Sequence, residues 1–219
     1  LTNACADSTV TFTNQSTVSG SAGLTHKWFF GDGDSLLTAA ATHTYDSAGS
    51  YQVTLISTSN GCVDSAINTV NIHPNPTANF ILNNVCVGTQ TMIMNASSLD
   101  SGSLSYSWAF DQQLASTDAN PILSYDTSGL FGVHLLVSSS FGCTDTFSDS
   151  ILIHPLPAAD FTFSSVCESD STVFTNASNV ASGSLSYTWN FGSNTQHPTH
   201  LFGADGTYSV QLLAVSDSG

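Results

Sequence analysis

A single long period runs through this chain and constrains its fold more than any local motif does. Cys5, Cys86 and Cys167 fall at intervals of 81, as do Cys62 and Cys143 and the pairs His73-Pro74 and His154-Pro155. Trp28, Trp108 and Trp189 follow at intervals of 80 and 81. A fixed internal period marks a tandem array, so one physical account must serve every copy. The copies divide the chain at 1–75, 76–156 and 157–219; the first lacks its opening strand, the second is complete and the third lacks its closing strand. Residue 1 corresponds to Leu82 of the second copy, and Gly219 to Gly61 and Gly142, each of which precedes a cysteine. The chain therefore reads as a window of a longer array.

Units of about 80 residues have small cores that need help. Charged residues make up 8% of the chain, with one lysine, Lys27, no arginine and a formal net charge of −15. Nothing is available to neutralise phosphates, which excludes nucleic acid as a partner, and docking on an anionic membrane is excluded on the same ground. No run of 18 apolar residues is present, so no membrane insertion is expected. The hydrophobic fraction of 41% separates the chain from disordered acidic tails. Its surface must be covered mainly by hydroxyls and amides, which suggests an outer coat, a permanent neighbour or a secreted setting.

The separation of Cys5 from Cys62 equals that of Cys86 from Cys143. Equal spacing is what one disulfide within each copy would give, with the partner of Cys167 outside the chain. The alternative is five buried free thiols. A zinc site is disfavoured because close Cys-x-x-Cys spacing is absent. A bridge over a loop of that length stabilises by about 4 kcal/mol on chain-entropy grounds, and disulfides imply an oxidising, extracellular or cell-surface location.

Short alternating runs separated by Gly, Asn, Asp and Ser clusters predict strands and no helix. Trp28 and Phe30 share a parity, as do Tyr51, Val53 and Leu55. The second copy repeats the pattern with Trp108 and Phe110, then Phe131, Val133 and Leu135; the third has Trp189 and Phe191, then Tyr208, Val210 and Leu212. Period-two alternation in short, closely spaced strands points to an all-β sandwich with these aromatics in the core. The linkers His73-Pro74-Asn75-Pro76 and His154-Pro155-Leu156-Pro157 are short and stiffened by proline, so the sandwiches should stack as a rod.

Trp28-Phe29-Phe30-Gly31-Asp32-Gly33-Asp34, His43-Thr44-Tyr45 and Gly49-Ser50-Tyr51-Gln52-Val53-Thr54-Leu55 closely resemble the PKD domain, an immunoglobulin-like β-sandwich. The second copy has Asp111-Gln112 and the third Ser193-Asn194 where the first carries its Gly-Asp-Gly turn. The resemblance implies tandem sandwiches of a large secreted bacterial surface protein, with the late Gly-Cys joined to an early cysteine. It also implies roles in spacing, protein contact and carbohydrate association rather than catalysis.

The remaining candidates are modest. Asp32 and Asp34, with Asp46 nearby, are the one group of candidate calcium ligands, but they bring no bidentate Glu and do not recur. No cofactor is expected. No Gly-x-Ser-x-Gly elbow is present, and His43 and His200 fall at the family's His-x-Tyr position, where a structural hydrogen bond is expected. Asn14, Asn95 and Asn176 open N-glycosylation sequons one full period apart, although their strand parity favours a backbone-tying role. Asp-Ser motifs mark Ser8, Ser35, Ser47, Ser65, Ser150 and Ser171 as candidate O-glycosylation sites. The function expected is the shaft of an extracellular fibre or filament, with a glycan coat that would explain the hydroxyl-rich surface. Its partners would be further copies of the array, neighbouring filament chains and covalent glycans. The alternative is an adhesin stalk or a carbohydrate- or protein-binding accessory module.

Overall fold

A computed structural model describes residues 3–20, 23–112, 115–164, 166–167 and 169–217. Ser218-Gly219, which carry the expectation of a following cysteine, lie outside these, as does residue 1. Every regular element among the described residues is a β-strand, and the three copies form three sandwich modules.

The centre of module 1 is the hairpin of Gly49–Ser59 and Cys62–His73, paired antiparallel from Gly49↔Ile72 to Ser59↔Cys62. Asn60 and Gly61 turn it with φ of 47° and 83°, the positive pair that matches the twist of a tight hairpin. Thr25–Phe29 and Ser35–Leu36 extend the sheet on one side. On the other, Ala4–Cys5 adds in parallel, with Ala4↔Ile72 and Cys5↔His73. The second layer is the antiparallel pair Thr9–Phe12 and Ala41–Thr44. Between the layers lie Val10, Trp28, Phe30, Tyr45, Val53, Leu55, Val70 and Ile72, all buried.

Module 2 repeats this plan with Leu104–Phe110, Gly129–Ser139, Thr144–His154 and Val85–Cys86 in one sheet. Two short pairs face it: Thr91–Met92 with Ile122–Leu123, and Met94–Asn95 with Phe80–Ile81. Its core includes Phe80, Ile93, Trp108, Phe131, Val133, Leu135 and Ile151. In module 3, Phe161–Phe163, Thr172–Asn176 and Thr199–His200 form one layer, and Leu185–Trp189 with Leu212–Ser216 the other. In all three modules the tryptophan Nε1 donates to a carbonyl further along the chain: Thr38, Asp118 and Thr195, at 3.2, 2.9 and 3.0 Å. The indole is thus buried without orphaning its N–H.

Trp28, Phe30, Trp108, Phe110, Phe131 and Trp189 are buried, and Tyr51 and Phe191 are half-buried. Tyr208 corrects the sequence expectation, because it is 44% exposed. In modules 1 and 2 the equivalent residue is paired with the long return strand, as Tyr51↔Val70 and Phe131↔Ile151. The described residues of module 3 contain no such strand.

The cysteine pairing is the larger correction. Cys5 is bonded to Cys143, with Cα atoms 5.7 Å apart and a sequence separation of 138. It is not bonded to Cys62, and Cys86 is not bonded to Cys143. The reason is strand length. Cys5 lies beside His73 and Cys62 begins the same 12-residue strand, so the two are separated by about 35 Å of extended chain. A disulfide needs Cα atoms within about 7 Å. Cys86 likewise lies beside His154, while Cys143 directly precedes Thr144–His154.

Two glycines of one turn give a contrasting pair of substitutions. A Cβ at Gly31 (φ 88°) would sit 2.7 Å from the Gln52 carbonyl oxygen, whereas at Gly33 (φ 111°) it would meet nothing within 4 Å. Gly31→Ala should destabilise module 1 by about 2 kcal/mol or more, and Gly33→Ala by about 1 kcal/mol, its left-handed backbone alone. Hydrogen exchange of module 1 amides in urea checks the order of the two.

Candidate functional site

The joint between modules 1 and 2 brings together backbone, side-chain, ring and covalent contacts. It starts from the parallel pairing that sets Cys5 beside His73. Ala6 N donates to the His73 carbonyl at 2.9 Å, and Asn75 Nδ2 of the linker donates to the Ala6 carbonyl at 3.0 Å. The linker is therefore tied back onto module 1 by side chain and backbone as well as stiffened by its prolines.

Module 2 meets this end with its long hairpin. Ser139 Oγ accepts from Phe141 N and Cys143 N at 3.3 and 3.1 Å, and Gly142 turns with φ of 86°. That geometry presents Phe141 and Cys143 towards module 1. The Phe141 ring stacks on His73 with centroids 3.9 Å apart and planes within 7°. Gly102 leaves room for it, since a Cβ there would fall 2.8 Å from Phe141 Cε2. The disulfide closes beside the stack, and Cys143 is 2% exposed. His73 Nε2 is buried with no hydrogen-bond partner among the described residues, a polar cost that the stack and the covalent bond must outweigh. Sequence reasoning missed Phe141. Its signal is an aromatic at the turn position that Asn60 fills in module 1.

The next joint shares the first half of this plan. Val85–Cys86 pairs in parallel with the end of Thr144–His154, and Val87 N donates to the His154 carbonyl at 3.0 Å. Leu156 replaces the tying asparagine and is exposed. The position equivalent to Phe141 is Ser218, outside the described residues.

The Gly-Asp-Gly turn brings Asp32, Asp34 and His43 together, with ligand atoms within 4.8 Å of one another. Asp46 is not part of that group. Asp32 Oδ2 pairs with His43 Nε2 at 2.6 Å, and Asp32 Oδ1 accepts from Asp34 N at 3.1 Å. Partial burial pulls the Asp32 carboxyl upward, but the His43 and Asp34 hydrogen bonds outweigh it and hold the group below its ordinary range. Both oxygens are thus already engaged within the protein. His43 also stacks on Phe30 at 4.1 Å and meets Tyr45 edge-on at 4.7 Å, and Tyr45 stacks on Tyr51 at 4.3 Å. Module 3 repeats this ladder through Phe191, His200, Phe202 and Tyr208. In module 2, Asp111 Oδ2 instead accepts from Gly132 N at 2.8 Å.

The sequon asparagines make one local contact in all three copies. Asn14, Asn95 and Asn176 Oδ1 accept from the backbone N–H of Ser16, Ser97 and Ser178, at 2.8, 2.9 and 2.7 Å. Asn176 is buried, including its Nδ2. Ser8, Ser35, Ser47, Ser65, Ser150 and Ser171 are all exposed.

Tyr45 gives module 1 a distinct alkaline limit. Burial, with the charges of Asp32 and Tyr51 adding to it, pushes its hydroxyl from 10.0 up to about 12. Its proton is held by the folded module over a range where the unfolded chain releases it, so stability that is full below pH 10 declines as pH rises towards 12. Tyr45→Phe should remove that slope. It should also cost about 1 kcal/mol at neutral pH through loss of the 3.0 Å bond to the Phe30 carbonyl. Urea midpoints across pH 8–11.5 check both effects. At the joint, Cys5→Ser should leave both cores folded while widening the range of angles between modules 1 and 2, and Phe141→Ala in the same background should widen it further. Small-angle X-ray scattering reads both.

No curated protein sequence matches the chain. Among solved structures, the PKD1 domain of Vibrio anguillarum Epp is 31% identical over 36% of this chain and 93% of that domain, with a TM-score of 0.33. The PKD1 domain from the Vibrio cholerae metalloprotease PrtV is 35% identical over 36% of this chain and 96% of that domain, also with a TM-score of 0.33. Three N-terminal domains of the bacteriophage RB49 outer capsid protein Hoc are 17% identical over 84% of this chain and 71% of that one, with a TM-score of 0.42. The PKD-domain pattern itself matches residues 2–74, 73–153 and 154–219, and with these three tandem segments the chain belongs to the PKD-domain family.

Proposed function

We propose that the chain serves in the shaft of an extracellular fibre or filament and transmits tension along a stapled array. Modules of this family are generally non-catalytic and occur in extracellular proteins, and the disulfide suggests the same location. The observation that carries the mechanical reading is the Cys5–Cys143 bond. Force applied at the two ends of the chain passes from Cys5 to Cys143 through sulfur and bypasses residues 6–142. Almost all of modules 1 and 2 is thereby removed from the path of the load. On chain-entropy grounds a loop of this length also stabilises by about 5 kcal/mol, a large share of the margin of a small domain.

A sugar coat fits the same reading. Six exposed serines lie in Asp-Ser motifs on a surface that offers one lysine and no arginine, and O-linked glycans there would hydrate a charge-poor fibre. Intact-mass measurement of the native protein tests this directly, because a mass equal to the polypeptide alone removes the coat. The binding-module alternative draws less support. Its exposed aromatic side chains are divided among modules, with Phe29 in the first, Phe141 at the joint, and Phe163 and Tyr208 in the third.

Single-molecule pulling from the two ends tests the shaft. Reduction should add about 450 Å of extensible chain, the contour of the residues between the two cysteines, by bringing modules 1 and 2 under the load so that they open. Equal extension before and after reduction removes the mechanical reading.

A further inference from the structure

We infer that Cys62 is one half of a second inter-module staple, completed by the early cysteine of another module of this kind stacked on the Cys62 end of module 1. The ligand is a cysteine thiol placed as Cys5 is placed, and the inference deepens the fibre reading on which it rests.

Equivalence with a formed bond is the first argument. Cys62 and Cys143 occupy the same place in their modules, directly after a left-handed glycine, Gly61 with φ of 83° and Gly142 with φ of 86°. Each opens or directly precedes the long return strand. Cys143 is bonded and 2% exposed because module 1 covers it. Cys62, on the same hairpin end of module 1, is exposed and unbonded among the described residues. The two positions differ in the residue before the glycine, Asn60 against Phe141, and in that only Cys143 is covered by another module of this chain.

The surroundings of Cys62 are the second argument. It borders a cavity of 380 Å³ that Val18, Leu24 and Val63 help to line. Val63 is 64% exposed and Val18 40%, an apolar rim on an otherwise hydroxyl-rich surface. In module 2 the corresponding hairpin end lies beneath the His73 ring and the Cys5 strand.

The complementary half is also present in every module. Ser8 N donates to the Cys5 carbonyl at 3.2 Å, Thr89 N to that of Cys86 at 3.1 Å, and Asp170 N to that of Cys167 at 3.1 Å. The early cysteines therefore share one turn, and Cys167 stands exposed in it. With an early cysteine at one end and a late cysteine at the other, modules 1 and 2 each have two unlike halves. Contacts between unlike halves are head-to-tail, and they propagate as a filament where the rotation from module to module does not close a ring.

Bond formation balances as an ordinary thiol–disulfide exchange. The Cys62 thiolate attacks oxidised glutathione, or a protein disulfide of the same class, and releases one thiol. The early cysteine's thiolate then attacks the mixed disulfide at the Cys62 sulfur, forming the Cys62 S–S bond and releasing the second thiol. The two cysteines lose two protons and two electrons in all, and the oxidant is reduced to two thiols.

Peptide mapping of the native protein, alkylated and digested without reductant, tests the inference. The expected result is a Cys62 peptide joined to a cysteine preceded by Ala or Val, as in Ala4-Cys5 and Val166-Cys167, with no alkylated Cys62. A mass that rises on reduction of the intact protein by only two hydrogens per disulfide assigns that cysteine to the same polypeptide, and a fall in mass assigns it to a second one. Alkylated Cys62 in protein whose Cys5–Cys143 bond is intact overturns the inference, as does a Cys62 peptide joined to another Gly-Cys. Cys62→Ser should abolish the linked peptide while leaving Cys5–Cys143 in place. A pulling experiment without a gain on reduction would remove the fibre reading, whereas the bonding of Cys62 is decided by the peptide map alone.

Discussion

The two long antiparallel strands at the heart of modules 1 and 2 set the cores and the joint of those modules. Their length sends the late cysteine to one end of the module while the parallel edge strand holds the early cysteine at the other. A module built this way cannot bridge itself, but two stacked modules can bridge each other. The hairpin register also fixes which side chains line each core, because a slip of one residue would turn Val53 and Leu55 to the solvent. Core, joint and covalent continuity thus depend on one set of backbone hydrogen bonds.

Around that frame the joint is built from unequal parts. Proline stiffening and the Asn75 tie restrict the linker, the His73–Phe141 stack sets the facing surfaces, and the disulfide makes their meeting permanent. Of the contacts across the joint, the disulfide alone is covalent. The weaker contacts determine the angle between modules, and the bond preserves it.

Much of the fold was legible because its determinants are local. Alternation around Trp28, Tyr51 and Trp108 is readable from neighbouring residues alone. Exposure of Tyr208 was not, since it depends on a strand absent from the described part of its module. The cysteine pairing was hidden for a different reason. The separation of Cys5 from Cys143, 138, is the separation of Cys5 from Cys62 lengthened by one full period. Periodicity cannot tell pairing within a copy from pairing with the next, and only the physical length of the strand decides. Phe141 was illegible because a lone aromatic at a turn has meaning only when His73 is seen opposite it.

The staple also changes what cutting the chain does. A single backbone break anywhere between residues 6 and 142 leaves both fragments joined through Cys5 and Cys143. Lys27 is the sole lysine or arginine, and hence the sole target for a protease that requires one. It lies inside that interval, in a strand with its Nζ 4.6 Å from the centre of the Phe29 ring. For this protein, being nicked and being severed are separate events.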